Sequence, residues 1–191
     1  NTASLRNYYM AVDLGAVGKG AGCDAILDVY KSSSISAGIV AVGGSVGMYG
    51  TKPDGSLWSI AVRNPYSAED GESTMGTLEL SGGFVSTSGS YEKNFTQDGI
   101  TYHHILDPKT GTSVENDLIS VTVVCDSGEN QGALSDLLST ACFVLGEEKG
   151  QELLKKYSAE GIFIRKDRSV FVTEGLQDSF HIVLEGYSYA E

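Results

Sequence analysis

Proline, cysteine, histidine and positive charge are all scarce in this chain. Its 191 residues hold three prolines, three cysteines, three histidines and one tryptophan, and 13 Lys+Arg stand against 25 Asp+Glu. The resulting net charge of −12 excludes a duplex nucleic-acid binder, whose surface must neutralise phosphates. It also speaks against adsorption to an anionic lipid surface. A small anionic ligand stays open, because backbone dipoles or a metal ion can hold one inside an acidic protein. Cys23, Cys125 and Cys142 are too few and too scattered for a disulfide framework or a thiolate metal site. Each lies among apolar neighbours, as a small buried side chain does. No apolar run approaches a membrane-spanning length.

What is present is an ordinary apolar fraction, 41%, and 24 glycines. That excludes intrinsic disorder and gives one domain, or a large piece of one, able to bury a core. The opening Asn1-Thr2-Ala3-Ser4 has neither an initiator Met nor a targeting segment, so the sequence reads as a processed or trimmed form.

The patterning predicts an extended segment over residues 10–15, a glycine-rich turn over 15–22, and a helix over 25–31 with Ile26, Leu27 and Tyr30 on one stripe. Strands follow at 37–42 and 57–62, the first ended by Gly43-Gly44 and the second by Asn64-Pro65. Residues 66–76 read as a surface loop, and 77–80 with 84–88 as a hairpin around Gly82-Gly83. Further strands are predicted at 100–106 and 118–125, and helices at 131–145, stopped by Gly146, and 147–157. A hairpin of 161–165 and 169–173 and an edge strand at 180–184 complete the chain. Strands and helices do not alternate regularly, which favours α+β over a doubly wound parallel sheet.

Four constellations could carry chemistry. The glycine-rich turn is either a phosphate cradle at a helix start or a plain turn leading into a helix. It is not a Walker A loop, because Lys19 is followed by Gly20. Asp136 and Thr140 lie four apart on a helix and project from one face. That pair suits a hard cation such as Mg²⁺, or is a solvated Asp beside a Thr bonded back to its own helix. His103 and His104 are adjacent at a strand end before the turn Asp107-Pro108-Lys109-Thr110-Gly111, so at most one faces a given pocket. One is a general base near neutral pH, or is satisfied by the turn backbone. Ser86-Thr87-Ser88-Gly89 offers hydroxyl donors to a phosphate or heterocycle, or is turn chemistry, and Gly-x-Ser-x-Gly is absent.

Taken in order, these segments resemble the ApbE family, the FAD:protein FMN transferases. The residues that carry the resemblance are Asp13-Leu14-Gly15 with Lys19-Gly20 and Asp24, then Gly43-Gly44, then Trp58 followed by Pro65. Next come Ser86-Thr87-Ser88-Gly89 with Tyr91, then His103-His104-Ile105-Leu106-Asp107-Pro108-Lys109-Thr110-Gly111. Asp136 with Thr140-Ala141, closing at Leu145-Gly146, completes the series. The departures are Ala41 and Ser45, where the family carries an Asn before the glycine pair and an acidic or amide residue after it, and Lys93 in place of an Arg after Tyr91. The Lys keeps the charge and loses the guanidinium fork.

The resemblance implies a T-fold-like α+β architecture, mostly antiparallel sheet with packed helices. It implies one ApbE-like domain over residues 1–191, the C-terminal part of a longer family protein whose N-terminal region helps hold the flavin. It implies Mg²⁺-dependent transfer of FMN from FAD to a Ser or Thr hydroxyl of an acceptor protein, with AMP released. By the family pattern Asp136 and Thr140 are metal ligands, with a backbone carbonyl of the turn ending at Gly18 as a third. His104 is the base, and Lys19, Asp24, Gly43, Gly44 and Ser88 line the flavin or adenosine site. The same residues would equally serve an FAD pyrophosphatase giving FMN and AMP, and an incomplete pocket would leave a non-catalytic flavin-binding fragment. The family's acceptor motif, an acidic residue before Ser-Gly-Ala-Thr or Ser-Gly-Ala-Ser, is not in this chain, so self-flavinylation is not expected. Family members are often periplasmic or lipid-anchored, and this chain leaves its compartment open.

Overall fold

The computed structural model describes residues 2–190. Its centre is the strand β8, Leu118–Cys125, every residue of which is buried. A strand covered on both faces carries a near-continuous apolar run, which is why this segment is so legible in the sequence. In chain order the earlier strands are β1 (Gly38–Val42), β2 (Ser45–Tyr49), β3 (Trp58–Arg63), β4 (Thr74–Leu80), β5 (Gly83–Gly89), β6 (Asn94–Gln97) and β7 (Ile100–His103). After β8 come β9 (Glu160–Arg165), β10 (Ser169–Val172), β11 (Phe180–Ile182) and β12 (Ser188–Tyr189). The helices are α1 (Gly18–Lys31), α2 (Ser67–Asp70), α3 (Gln131–Leu145) and α4 (Glu147–Lys156).

The strands form a seven-stranded sheet in the order β1-β2-β5-β8-β9-β10-β12, a three-stranded sheet β11-β4-β3, and the small hairpin β6-β7. All pairings are antiparallel except β10 with β12. The α+β expectation, mostly antiparallel with packed helices, is met.

Three layers result. On one face of the large sheet Val121, Val123 and Cys125 of β8 meet Leu138, Cys142 and Phe143 of α3 and Leu154 of α4. Beside them Cys23 and Leu27 of α1 pack on Phe84 of β5. On the other face Met48, Val85, Ile119, Val124, Ile162 and Ile164 pack against Ile60, Val62, Met75, Leu78 and Phe180 of the small sheet. Alternate residues of one strand thus feed two cores. Fully burying a Leu, Ile or Phe contributes about 1.5–3 kcal/mol, so the two cores hold the layers together.

Four expectations need correction. Residues 10–15 form no strand and are exposed. Helix α1 starts at Gly18, seven residues earlier than read, because glycine's low helix propensity is overruled by packing on α3. Residues 66–76 hold the short α2 and the start of β4. Finally, β4 and β5 are not a hairpin: β4 pairs with β3 and β11, whereas β5 pairs with β2 and β8. The chain crosses between sheets at Ser81-Gly82 and enters β5 at Gly83 (φ +98°), where a Cβ would overlap the carbonyl of Cys125. Almost all of β5 is buried on both faces, which a two-stranded ribbon cannot provide.

Candidate functional site

The site is built where the starts of α1 and α3 meet. Gly20 and Gly132 let the two backbones touch, for a Cβ at Gly20 would overlap the carbonyl oxygen of Gly132. A helix start leaves N–H groups without partners and a partial positive charge. At α1 these are met by Asp136 of α3, whose Oδ2 accepts from Lys19 N–H (3.1 Å) and Gly20 N–H (3.0 Å). At α3 they are met by Asp24 of α1, whose two oxygens accept from Gly132 N–H (2.9 Å) and Ala133 N–H (2.8 Å). The glycine-rich tract therefore does cradle an anion, and that anion is the protein's own carboxylate.

Asp136 is fully buried, and its Oδ1 has no hydrogen-bond partner among the described residues. It faces the ammonium of Lys19 at 2.8 Å, an ion pair without hydrogen-bond alignment. The same ammonium donates to the carbonyl of Gly15 at 3.3 Å. The turn Gly43-Gly44, between β1 and β2, lies against this lysine: a Cβ at Gly43 (φ +56°) would stand 3.0 Å from Lys19 Cδ.

One turn along α3, Thr140 Oγ1 lies 3.0 Å from Ser88 Oγ, which is 2.8 Å from Ser139 Oγ. Deeper, Ser86 Oγ donates to Ser45 Oγ (2.9 Å) and lies 2.8 Å from Ser135 Oγ. Alternate serines of β5 thus face serines one helical turn apart on α3, a buried hydroxyl ladder that ends at Thr140. Ser135 and Ser139 were not singled out from the sequence. Their spacing of four against a strand spacing of two is the signal, visible once β5 and α3 are known to pack.

The two histidines part company. His103 Nε2 lies 3.0 Å from the carbonyl of Val114, the ring meets Phe143 edge-on at 5.8 Å, and Nδ1 is buried with no hydrogen-bond partner among the described residues. It lines a cavity of about 180 Å³ with Ser90, Ser113 and Lys166. Burial holds its pKa below the ordinary histidine value, the Val114 contact opposing this. His104 follows the last residue of β7 and is exposed, with its N–H held by the carbonyl of Lys93 at 3.1 Å. The exposed imidazole of this turn is His104.

No cysteine competes as a nucleophile. Burial pushes the thiols of Cys125 and Cys142 up to about 12 and raises that of Cys23, which keeps them protonated near neutral pH. Among the described residues no three His, Cys, Asp or Glu side chains gather as a metal site. Any cation at Asp136 would therefore rest on one carboxylate and neutral oxygens.

The model of the ApbE family matches residues 2–163. The chain belongs to the ApbE family. It is 33% identical over 179 residues to an FAD:protein FMN transferase of Klebsiella pneumoniae, covering 93% of this chain and 53% of that protein. It is 31% identical to an FAD:protein FMN transferase of Treponema pallidum, covering 96% of this chain and 51% of that one. Among solved structures the ApbE protein of Thermotoga maritima superposes with a TM-score of 0.75 at 30% identity, over 88% of this chain and 53% of that chain. The Pseudomonas stutzeri flavinyl transferase ApbE gives 0.71 at 31% identity, over 91% and 52%. This chain spans about half the length of the relatives it matches.

Within the ApbE fold three expected site residues take framework positions in this chain. Asp24 caps α3 with both oxygens. Ser88 is buried and its hydroxyl contacts Ser139 and Thr140 of α3. Gly18 is the first residue of α1, and the carbonyl of Gly15 accepts from the Lys19 ammonium. Lys19, Gly43, Asp136 and the Ser88–Thr140 pair gather around the meeting of α1 and α3, while His104 sits at the end of the β6-β7 hairpin.

Proposed function

We propose that this chain carries the metal- and histidine-bearing part of an FAD:protein FMN transferase, with Mg²⁺ as cofactor and a Ser or Thr hydroxyl of a partner protein as acceptor. The observation that carries the reading is Asp136, a fully buried carboxylate whose Oδ1 lacks a hydrogen bond and lies one helical turn from Thr140. The names of the ApbE relatives support it.

The oxygens available here fit Mg²⁺. Asp136 Oδ1, Thr140 Oγ1 and a carbonyl of the turn before α1 are hard donors, and Mg²⁺ takes few such ligands, completing its shell with phosphate and water. Bound there, Mg²⁺ would draw negative charge from a diphosphate. The protein's own groups do the rest. Lys19 offers a cationic donor to phosphate oxygens, and Gly43-Gly44 lets the β1–β2 turn approach it closely. His104 takes the acceptor's hydroxyl proton on a ring nitrogen as the hydroxyl oxygen bonds to the FMN phosphorus. The bond from that phosphorus to the bridging oxygen breaks, and AMP departs with the electron pair.

Incubation with FAD, Mg²⁺ and an acceptor protein, followed by acceptor mass and AMP release, tests this. Acceptor carrying one FMN per AMP released is expected. Free FMN formed at a rate the acceptor does not change would replace transfer by hydrolysis, and FAD held without turnover would leave a flavin-binding module.

A further inference from the structure

The ion pair at the start of α1 has an unusual asymmetry. Asp136 is wholly buried, whereas Lys19 is about one-third exposed (35%) and reaches it over the turn at residues 15–17. The ammonium contacts both Asp136 Oδ1 and the Gly15 carbonyl, two hard oxygens of the kind a divalent cation takes. The other carboxylate oxygen is committed to the N–H groups of Lys19 and Gly20, so Oδ1 is the one free to exchange partners. An ammonium 2.8 Å from that oxygen and a divalent ion about 2 Å from it cannot share the space without strong repulsion.

We propose that Lys19 and the divalent cation compete for Asp136 Oδ1, so that metal binding expels the Lys19 ammonium and leaves it free to meet an anionic substrate. Lys19 is then a positioning residue with two stations. In the first it neutralises a buried carboxylate that would otherwise stand unpaired, a costly state. In the second it has swung outward on its flexible stem, carrying one positive charge toward the phosphates. The exchange couples the sites: metal raises affinity for an anion and the anion raises affinity for metal, by equal factors. The exchange presupposes that Asp136 takes a divalent cation, and the test separates the two statements.

Two measurements, both independent of turnover, decide it. In the unaltered chain, limited acetylation read by peptide mass spectrometry reports the reactivity of each lysine amine. Saturating Mn²⁺ should raise labelling of Lys19 about fivefold, the factor that corresponds to release of a part-exposed ion pair of about 1 kcal/mol. Lys31, paired with Asp28 on the outer side of the same helix, should not change. Second, Mn²⁺ titration followed by electron paramagnetic resonance should give Lys19→Met a dissociation constant about three- to tenfold lower than the unaltered chain, because the competitor is gone. Unchanged Lys19 labelling under conditions where Mn²⁺ binds, or equal or weaker Mn²⁺ binding by Lys19→Met, would overturn the exchange and leave the metal site standing. No Mn²⁺ binding by the unaltered chain would overturn both.

Discussion

Asp24 and Asp136 cap each other's helices: Asp24, on α1, holds Gly132 and Ala133 at the start of α3, and Asp136, on α3, holds Lys19 and Gly20 at the start of α1. Each carboxylate meets the second and third N–H of the opposite helix, where partnerless donors and the helix dipole both favour negative charge. The symmetry ends at the second oxygen. Asp24 uses both for capping, and Asp136 keeps Oδ1 for a cation.

Asp24→Ala should therefore lower stability by about 1–2 kcal/mol, the usual size of a lost cap. The dissociation constant for FAD, measured on the folded fraction, should stay within twofold. Denaturant titration and flavin fluorescence check the two halves, and a large loss of affinity with little loss of stability would return Asp24 to the flavin lining.

Asp136 has two roles that separate by substitution. Asn keeps an acceptor for the Lys19 and Gly20 N–H groups, and Ala does not. Asp136→Asn should weaken Mn²⁺ binding at least tenfold while unfolding at higher denaturant than Asp136→Ala, which loses the capping acceptor too. Equal metal affinity in Asp136→Asn and the unaltered chain would remove Asp136 as ligand.

Glycines of the same tract should respond in opposite directions. Gly20→Ala forces α1 off α3 and should cost about 3 kcal/mol or prevent folding. Gly22→Ala places its methyl 3.7 Å from Val42, an ordinary contact, and should stabilise by up to about 1 kcal/mol through helix propensity. Thermal unfolding of the two variants compares them directly.

His104→Ala should slow FMN transfer about 10²- to 10⁴-fold, the range of a lost general base, and spare the fold. His103→Ala should lose about 1–2 kcal/mol through the Val114 hydrogen bond and the Phe143 contact, with a transfer rate within a few-fold. Single-turnover rates and melting curves of both variants, with the opposite pattern, would exchange their roles.

Between the β9–β10 turn and the end of α2, Arg168 grips Asp70 with two hydrogen bonds (2.7 and 2.9 Å), and Asn64 adds a third. These contacts, the Arg168 bond first, hold the Asp70 carboxyl down at about 2. Its stabilising share is full above the ordinary carboxylate range and is lost as pH falls through about 2. Between pH 4 and pH 2 the melting temperature of the unaltered chain should fall more steeply than that of Asp70→Asn.

Legibility of the sequence followed burial. Strand β8 and helix α3 coincide with the residues read for them, because one is apolar throughout and the other carries an unbroken stripe closed by Gly146. Strand β6 is exposed at every position and β2 is rich in small residues, so neither shows alternation in the sequence. The Asp136–Thr140 pair was legible because a helix fixes the relation of residues four apart. The capping by Asp24 was not, since its partner lies 108 residues away. The contact of Ser88 with α3 was not legible either, because a strand serine shows nothing of the helix it faces.

Lys19 and Asp136 are 117 positions apart along the chain. During synthesis, α1 must wait for more than a hundred further residues to emerge before the carboxylate that completes its start can arrive. Closing so long a loop is entropically slow and rewards nothing until the end. A chain interrupted before α3 would leave the ribosome with an unfinished first helix.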